Sequence, residues 1–227
     1  MPTPTPRFSA DTLKFLRALK RNNRREWFNA RRDQYEAAVR QPMAAIIERL
    51  AIDFADFAPE LVANPKSSMF RIYRDTRFSE NKAPYKTHAA AVFPTRGMPK
   101  LGGAGLYFHI SPDELWIGGG MHSPQTPQLH ATREHIAANL KRFRAIVESP
   151  GFKKHVGTLE GERLRRVPRG FPKDHPAAEY LTFRQFIAGA GFPPALATSP
   201  KFYTTLLTVF RQVVPLVRFL NEPLSKG

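Results

Sequence analysis

A chain of 227 residues, 42% of them hydrophobic, is long enough to bury a sizeable core as one domain. Its 35 Lys+Arg against 19 Asp+Glu give a formal net charge of +16, which attracts polyanions at low salt whatever the biological partner is. Without cysteine there are no disulfides, thiolate nucleophiles or cysteine-ligated zinc. Met1–Arg7 has no apolar leader and no run of about 18 apolar residues occurs, so no membrane partner and a cytoplasmic localisation are expected.

In chain order, Pro2, Pro4 and Pro6 mark residues 1–7 as a flexible tail. A helix follows, capped by Ser9 or Asp11, with Leu13, Phe15, Leu16 and Leu19 inward, and Asn22-Asn23 breaks it. A second helix is predicted from about Arg24 to Arg40, with Arg24, Arg25, Arg31, Arg32 and Arg40 on its solvated side. Pro42 ends or restarts it. Met43, Ile46, Ile47, Leu50 and Phe54 then give an amphipathic helix that stops before Pro59.

The densest chemistry lies in Met69–Val92. Arg71, Arg74, Arg77, Lys82 and Lys86 crowd one segment, with Tyr73, Phe78 and Tyr85 between them and only Asp75 and Glu80 as acids. Like charges about 6 Å apart in water repel by roughly 0.7 kcal/mol per pair, and by more where water is excluded. On a regular strand Arg71, Tyr73, Asp75 and Arg77 share one face and Phe70, Ile72 and Arg74 the other. The pattern therefore favours a strand ending near Tyr73, a loop around Ser79–Lys82, and a second strand from about Lys86 to Phe93.

Further on, Leu106–Ile110 and Glu114–Met121 read as strands joined at Ser111-Pro112-Asp113, with Leu106, Phe108 and Ile110 on one face and Tyr107 and His109 on the other. Gly118–Gly120 fits no dinucleotide or P-loop fingerprint and marks either a close backbone approach or a bulge. A long helix is predicted from Pro127 to Glu148, a short strand at Leu164–Val167, a helical turn at Pro176–Tyr180, a strand at Leu181–Ile187 and a glycine-broken loop at Ala188–Phe192. Ser199 and Pro200 open a last helix with Phe202, Leu206, Phe210, Val213, Val217 and Leu220 buried and a kink at Pro215.

The run RIYRDTRFSENKAPYKTH at Arg71–His88 resembles the signature of an uncharacterised bacterial and fungal family, a domain of unknown function. Thr12–Leu16, Asn22-Asn23, Glu26-Trp27-Phe28, Gly118–Gly120, Pro168–Phe171 and Asp174-His175-Pro176 also match it. The resemblance runs from about Phe8 to Leu220 and implies one domain without naming an activity.

The expected fold is α+β, a single domain over residues 8–222 with a tail at 223–227. A mostly antiparallel sheet is packed by N-terminal helices, a long middle helix and a C-terminal helix. The histidines at 88, 109, 122, 130, 135, 155 and 175 show no paired ligand spacing, so no metal site and no cofactor are expected. The motif's chemistry is that of binding: Arg71, Arg74, Arg77, Lys82 and Lys86 would hold a phosphate-bearing or other anionic ligand, nucleotide and nucleic acid included. Tyr73 and Tyr85 would support it and Asp75 would orient the arginines. A phosphoester-acting enzyme using Asp75 and His88, with magnesium, is the second reading. A salt-bridged structural motif is the third.

Overall fold

The computed structural model describes residues Thr5–Leu224, so parts of the expected tails at 1–7 and 223–227 lie outside the described residues. Ser9 precedes α1 (Ala10–Arg21), which buries Leu13, Phe15, Leu16 and Leu19 as its spacing predicts and stops at Asn22. The helix expected over Arg24–Arg40 is interrupted. It comprises α2 (Arg25–Asn29), α3 (Arg32–Tyr35) and a π-turn at Glu36–Arg40 that leads directly into α4 (Gln41–Phe57).

Pro42 does not end the helix but sits in the restarted first turn of α4, and a tertiary contact accounts for it. Proline has no N–H for the carbonyl four residues back, that of Ala38. Ala38 is served instead by the buried Thr12 of α1, whose Oγ1 donates to its oxygen at 2.6 Å. The wide turn just before Pro42 is the form in which helices absorb such a misfit. A four-residue helix, α5 (Pro65–Ser68), is capped by the Asn64 side chain accepting from Lys66 N–H at 2.9 Å.

Among the described residues the sheet has four strands in the order β1 (Ala89–Pro94), β2 (Gly105–Ile110), β3 (Leu115–Met121) and β4 (Phe186–Phe192), antiparallel throughout. Leu106, Phe108, Ile110, Leu115 and Ile117 are fully buried on its inner face. The strand expected at Leu181–Ile187 begins only at Phe186, because Ala178–Leu181 is helical (α9), and it continues through the predicted loop Ala188–Phe192. The glycines of β3 serve close strand approach: a Cβ on Gly120 would collide with the Phe186 carbonyl oxygen, and one on Gly119 with that of Gly105. Leu164–Val167 is not a strand; Glu160 and Arg163 instead form single bridges to Ile187 and Phe183.

The predicted middle helix is two helices, α6 (Thr126–Ala138) and α7 (Leu140–Val147), parted at Asn139, whose side chain turns back to donate to His135 O at 2.9 Å. A short α8 (Pro150–His155) follows. The last helix, α10 (Phe202–Asn221), runs unbroken through Pro215 and buries every residue of the predicted stripe. Glu222–Leu224 adds a turn that Arg142 holds by donating to both oxygens of Glu222.

By contact the chain divides into two compact units. The first runs through Val92 and takes in Tyr107–Trp116 and Gly191–Leu207; the second takes Phe93–Leu106, Ile117–Ala190 and the chain from Thr208. The first unit's core includes Phe8, Leu16, Phe28, Ile46, Ile47 and Phe108, and the second's includes Phe143, Phe152, Phe186 and Phe219. In the second unit Asn221 accepts from Ala104 N–H at 2.8 Å and donates to Ala104 O at 2.9 Å, completing both hydrogen bonds of that residue.

The Thr12 hydroxyl also accepts from Ser9 N–H at 3.2 Å, so one side chain caps α1 and serves the carbonyl that Pro42 leaves without a donor. Thr12→Val keeps the volume and removes both bonds. It should lower unfolding stability by about 1–3 kcal/mol, read as a drop in the urea midpoint with the m-value unchanged.

Candidate functional site

The basic segment forms an irregular hairpin in the first unit. Met69 bridges Ala91 and Tyr73 bridges Tyr85, so four residue steps on one side face six on the other and the pairing bulges between the two bridges. Phe70 N–H donates to Ala90 O at 2.9 Å, Lys86 N–H to Ile72 O at 2.7 Å and Arg74 N–H to Pro84 O at 2.9 Å. Exposure alternates as expected: Arg71, Tyr73, Asp75 and Arg77 are exposed, Ile72 is buried and Arg74 is half-buried.

This pairing leaves the N–H and C=O of Tyr85 pointing away from Tyr73. Both are met by Asn23, which accepts from Tyr85 N–H at 3.0 Å and donates to Tyr85 O at 2.9 Å. The Tyr85 ring, 3% exposed, stacks on Phe28 at 4.2 Å between centroids. Tyr85 is therefore a core residue that anchors the hairpin, which corrects its assignment as a ligand contact. Burial raises its hydroxyl pKa.

The five cations do not converge on one cavity. In the loop, Arg77 makes a two-pronged pair with Asp75, Nη2 to Oδ2 at 2.7 Å and Nε to Oδ1 at 3.0 Å. Lys82 Nζ donates to Thr76 O at 3.0 Å, and Arg74 reaches Ser79 Oγ at 3.4 Å. These groups are spent on ordering the turn, whose sequence supplies its own acceptors within six positions of each cation. Phe78 beside them is 95% exposed, with the Arg77 guanidinium 5.8 Å from its ring centroid.

Arg71 and Lys86 stay with the hairpin's base. The Lys86 ammonium lies 5.0 Å from the Phe70 ring centroid, and its pKa is lowered by burial and then by the charge of Arg71. Arg71 lines an open groove of about 210 Å³ together with Tyr73 from the hairpin, Lys66 from α5 and Arg32, Glu36 and Arg40 from the helical segment. Arg32 Nη2 donates to the Tyr73 hydroxyl at 2.9 Å, and Arg40 pairs with Glu36 at 2.9 Å. Among the described residues neither Arg71, Lys66 nor Arg32 has a carboxylate partner.

Arg32, Arg40 and Lys66 were missed as site residues by sequence reasoning, which placed the arginines on a solvated face. The usable signal was the spacing of Arg32, Glu36 and Arg40 at steps of four, which puts all three on one side of a helix. Lys66 carried no signal.

The acid–base pair proposed from sequence is not assembled. Arg77 holds the Asp75 carboxyl below its usual range and Asp75 sits in the exposed loop, while His88 is half-buried with its ring 5.6 Å from that of His109. Among the described residues no hydrogen bond or ion pair links Asp75 to His88. Neither does any group of three or more His, Asp or Glu residues there stand close enough to hold a metal ion. The Gly118–Gly120 backbone is interior to β3, and its glycines mark the close backbone approach.

A profile of the conserved hypothetical proteins designated DUF2461 matches residues 11–219. The chain belongs to that family. Its match spans α1, the basic hairpin, all four strands and most of α10, so the groove lies wholly within the region that defines the family. No curated protein and no solved structure gives a significant match.

His88 supplies a pH test of the geometry. Burial, then the charges of His109 and Lys86, pull its imidazole from 6.5 down to about 4. The unfolded chain therefore takes up a proton that the folded chain refuses, so this contribution to stability is complete above pH 6.5 and is lost as pH falls toward 4. Urea unfolding across that window should show a loss of up to about 1.4 kcal/mol per pH unit from this group, and His88→Asn should remove that part of the slope.

Proposed function

We propose that this chain binds a phosphate-bearing or otherwise anionic ligand in the groove beneath the hairpin, through Arg71, Lys66 and Arg32, with Tyr73 beside them. The observation that carries the reading is the charge balance. Four cations border one cavity against the single carboxylate of Glu36, and that carboxylate is already paired with Arg40. Unpaired cations around a shared concavity repel one another at a cost that an anion removes. Guanidinium groups match phosphate oxygens two at a time, and the lysine adds a mobile point charge.

The groove is smaller than the roughly 300–1,000 Å³ of enclosed ligand pockets. It suits one phosphate group and the moiety attached to it, with the remainder of a larger ligand lying across the surface. A net charge of +16 would draw such a ligand in by long-range attraction. Nucleotides and nucleic acid are the candidate partners. Among the described residues no helix is long and apolar enough to cross a membrane, and a cysteine-free chain suits the cytoplasm, where we place the protein. The reading requires no cofactor. The loop cations Arg74, Arg77 and Lys82 are assigned to holding the turn.

Calorimetric titration with pyrophosphate and with nucleotides, alongside thermal melting, tests the groove. A ligand at 100 times its dissociation constant should stabilise the wild type by about 2.7 kcal/mol. Arg71→Ala should cut that shift sharply while leaving the ligand-free melting temperature nearly unchanged, since Arg71 is exposed and has no carboxylate partner. Equal shifts in both proteins, or none in the wild type, would refute the reading.

A further inference from the structure

We infer that the groove's ligand is a nucleotide unit with an unpaired base, and that the base is received on the outer face of β2 and β3 by Phe70, Tyr107, His109 and Trp116. This rests on the groove reading above and adds the chemistry at the other end of the ligand. The rings form a path that starts in the groove itself. Phe70 borders the cavity, and its ring lies 6.3 Å from Tyr107 at an interplanar angle of 63°. Tyr107 in turn lies 5.6 Å from His109 and 5.8 Å from Trp116. The His109 and Trp116 rings share one orientation to within 9°.

Strand alternation produces this face. Leu106, Phe108, Ile110, Leu115 and Ile117 point into the core and are fully buried, which leaves Tyr107, His109 and Trp116 on the opposite side, each partly exposed. The rings of Tyr107 and His109 on β2 and of Trp116 on β3 offer flat surfaces with polar edges on this face. Base–aromatic stacking needs such surfaces and tolerates any base. Lys86 over Phe70 and Arg71 in the groove place positive charge where the ring path meets the phosphate site.

The titratable groups on this face suit a neutral ring. Burial lowers the pKa of His88 and of His109, the latter against the opposing pull of Glu114, whose carboxylate lies 3.1 Å from Nε2. Both imidazoles therefore stay uncharged near neutrality. The Nδ1 of His109 is buried with no hydrogen-bond partner among the described residues.

The chain has two tryptophans, Trp27 and Trp116, so Trp27→Phe leaves Trp116 as the sole tryptophan, excited apart from the tyrosines at long wavelength. That variant would be titrated with pyrophosphate, a nucleoside monophosphate, a single-stranded oligonucleotide, the same sequence as duplex, and anionic phospholipid vesicles. The expected result is quenching of Trp116 emission by the mononucleotide or the single strand and none by pyrophosphate. Quenching by the mononucleotide would identify a free nucleotide as sufficient, and quenching by the strand alone would identify nucleic acid. Tyr107→Leu should weaken nucleotide binding by roughly tenfold with pyrophosphate affinity unchanged, whereas Arg71→Ala should weaken both. If nucleotides bind no tighter than pyrophosphate and leave the emission unchanged, the ring face is overturned while the groove stands. If nothing binds, or if only vesicles or duplex alter the emission, the inference is overturned outright.

Discussion

One amide side chain decides where the basic hairpin sits. Asn23 closes both backbone hydrogen bonds of Tyr85, a residue whose outer edge has no strand beside it among the described residues, and so does for the hairpin what a neighbouring strand would do. Each such bond contributes about 0.5–1.5 kcal/mol net, and the Tyr85 ring stacked on Phe28 adds apolar burial to the same anchor. This anchor, with the Met69–Ala91 bridge and the Arg32–Tyr73 hydrogen bond, holds Arg71 and Tyr73 opposite Arg32. The second unit uses the same device independently, with Asn221 on Ala104.

The electrostatics of the motif separate into two kinds. Loop cations find acceptors within their own turn, so their charge is neutralised or tied down locally, and exposed pairs such as Asp75–Arg77 contribute little to global stability. Groove cations come from the helical segment on one side and from α5 and the hairpin on the other, and meet because the hairpin is pinned. Their mutual repulsion is a cost the fold tolerates because the groove is open to water. Cations that are spent hold shape and cations that are unspent remain available for binding, and the division between them falls near Tyr73.

Sequence periodicity disclosed most of the scaffold. The stripe of α1, the amphipathic face of α4, the β2–β3 hairpin and the buried side of α10 all follow from spacing, because each packs a single face against the core. What escaped was decided by tertiary contacts. Pro42 reads as a helix end or a restart, and the restart is completed only by Thr12, thirty positions earlier, which supplies the missing donor. Ala188–Phe192 reads as a loop because alternating glycine and small residues look the same on paper in a strand as in a flexible segment. The charged motif was visible as a motif, yet its division between turn and groove was not, since Arg32, Arg40 and Lys66 join Arg71 only after folding. Tyr85 was misjudged because an aromatic residue between basic ones carries no mark of whether its ring faces ligand or core.

The glycines of β3 constrain how this architecture can vary. At Gly119 and Gly120 the adjoining strands come so near that even a methyl group would strike a carbonyl oxygen, and Gly120 also holds a φ of 121°. The seam is thus intolerant of any added atom, and mutational drift at those two sites meets a wall that no compensating change on a distant helix can lower. Diversification among related chains must instead be channelled into the rim, where loop length and surface charge can change without prising the strands apart.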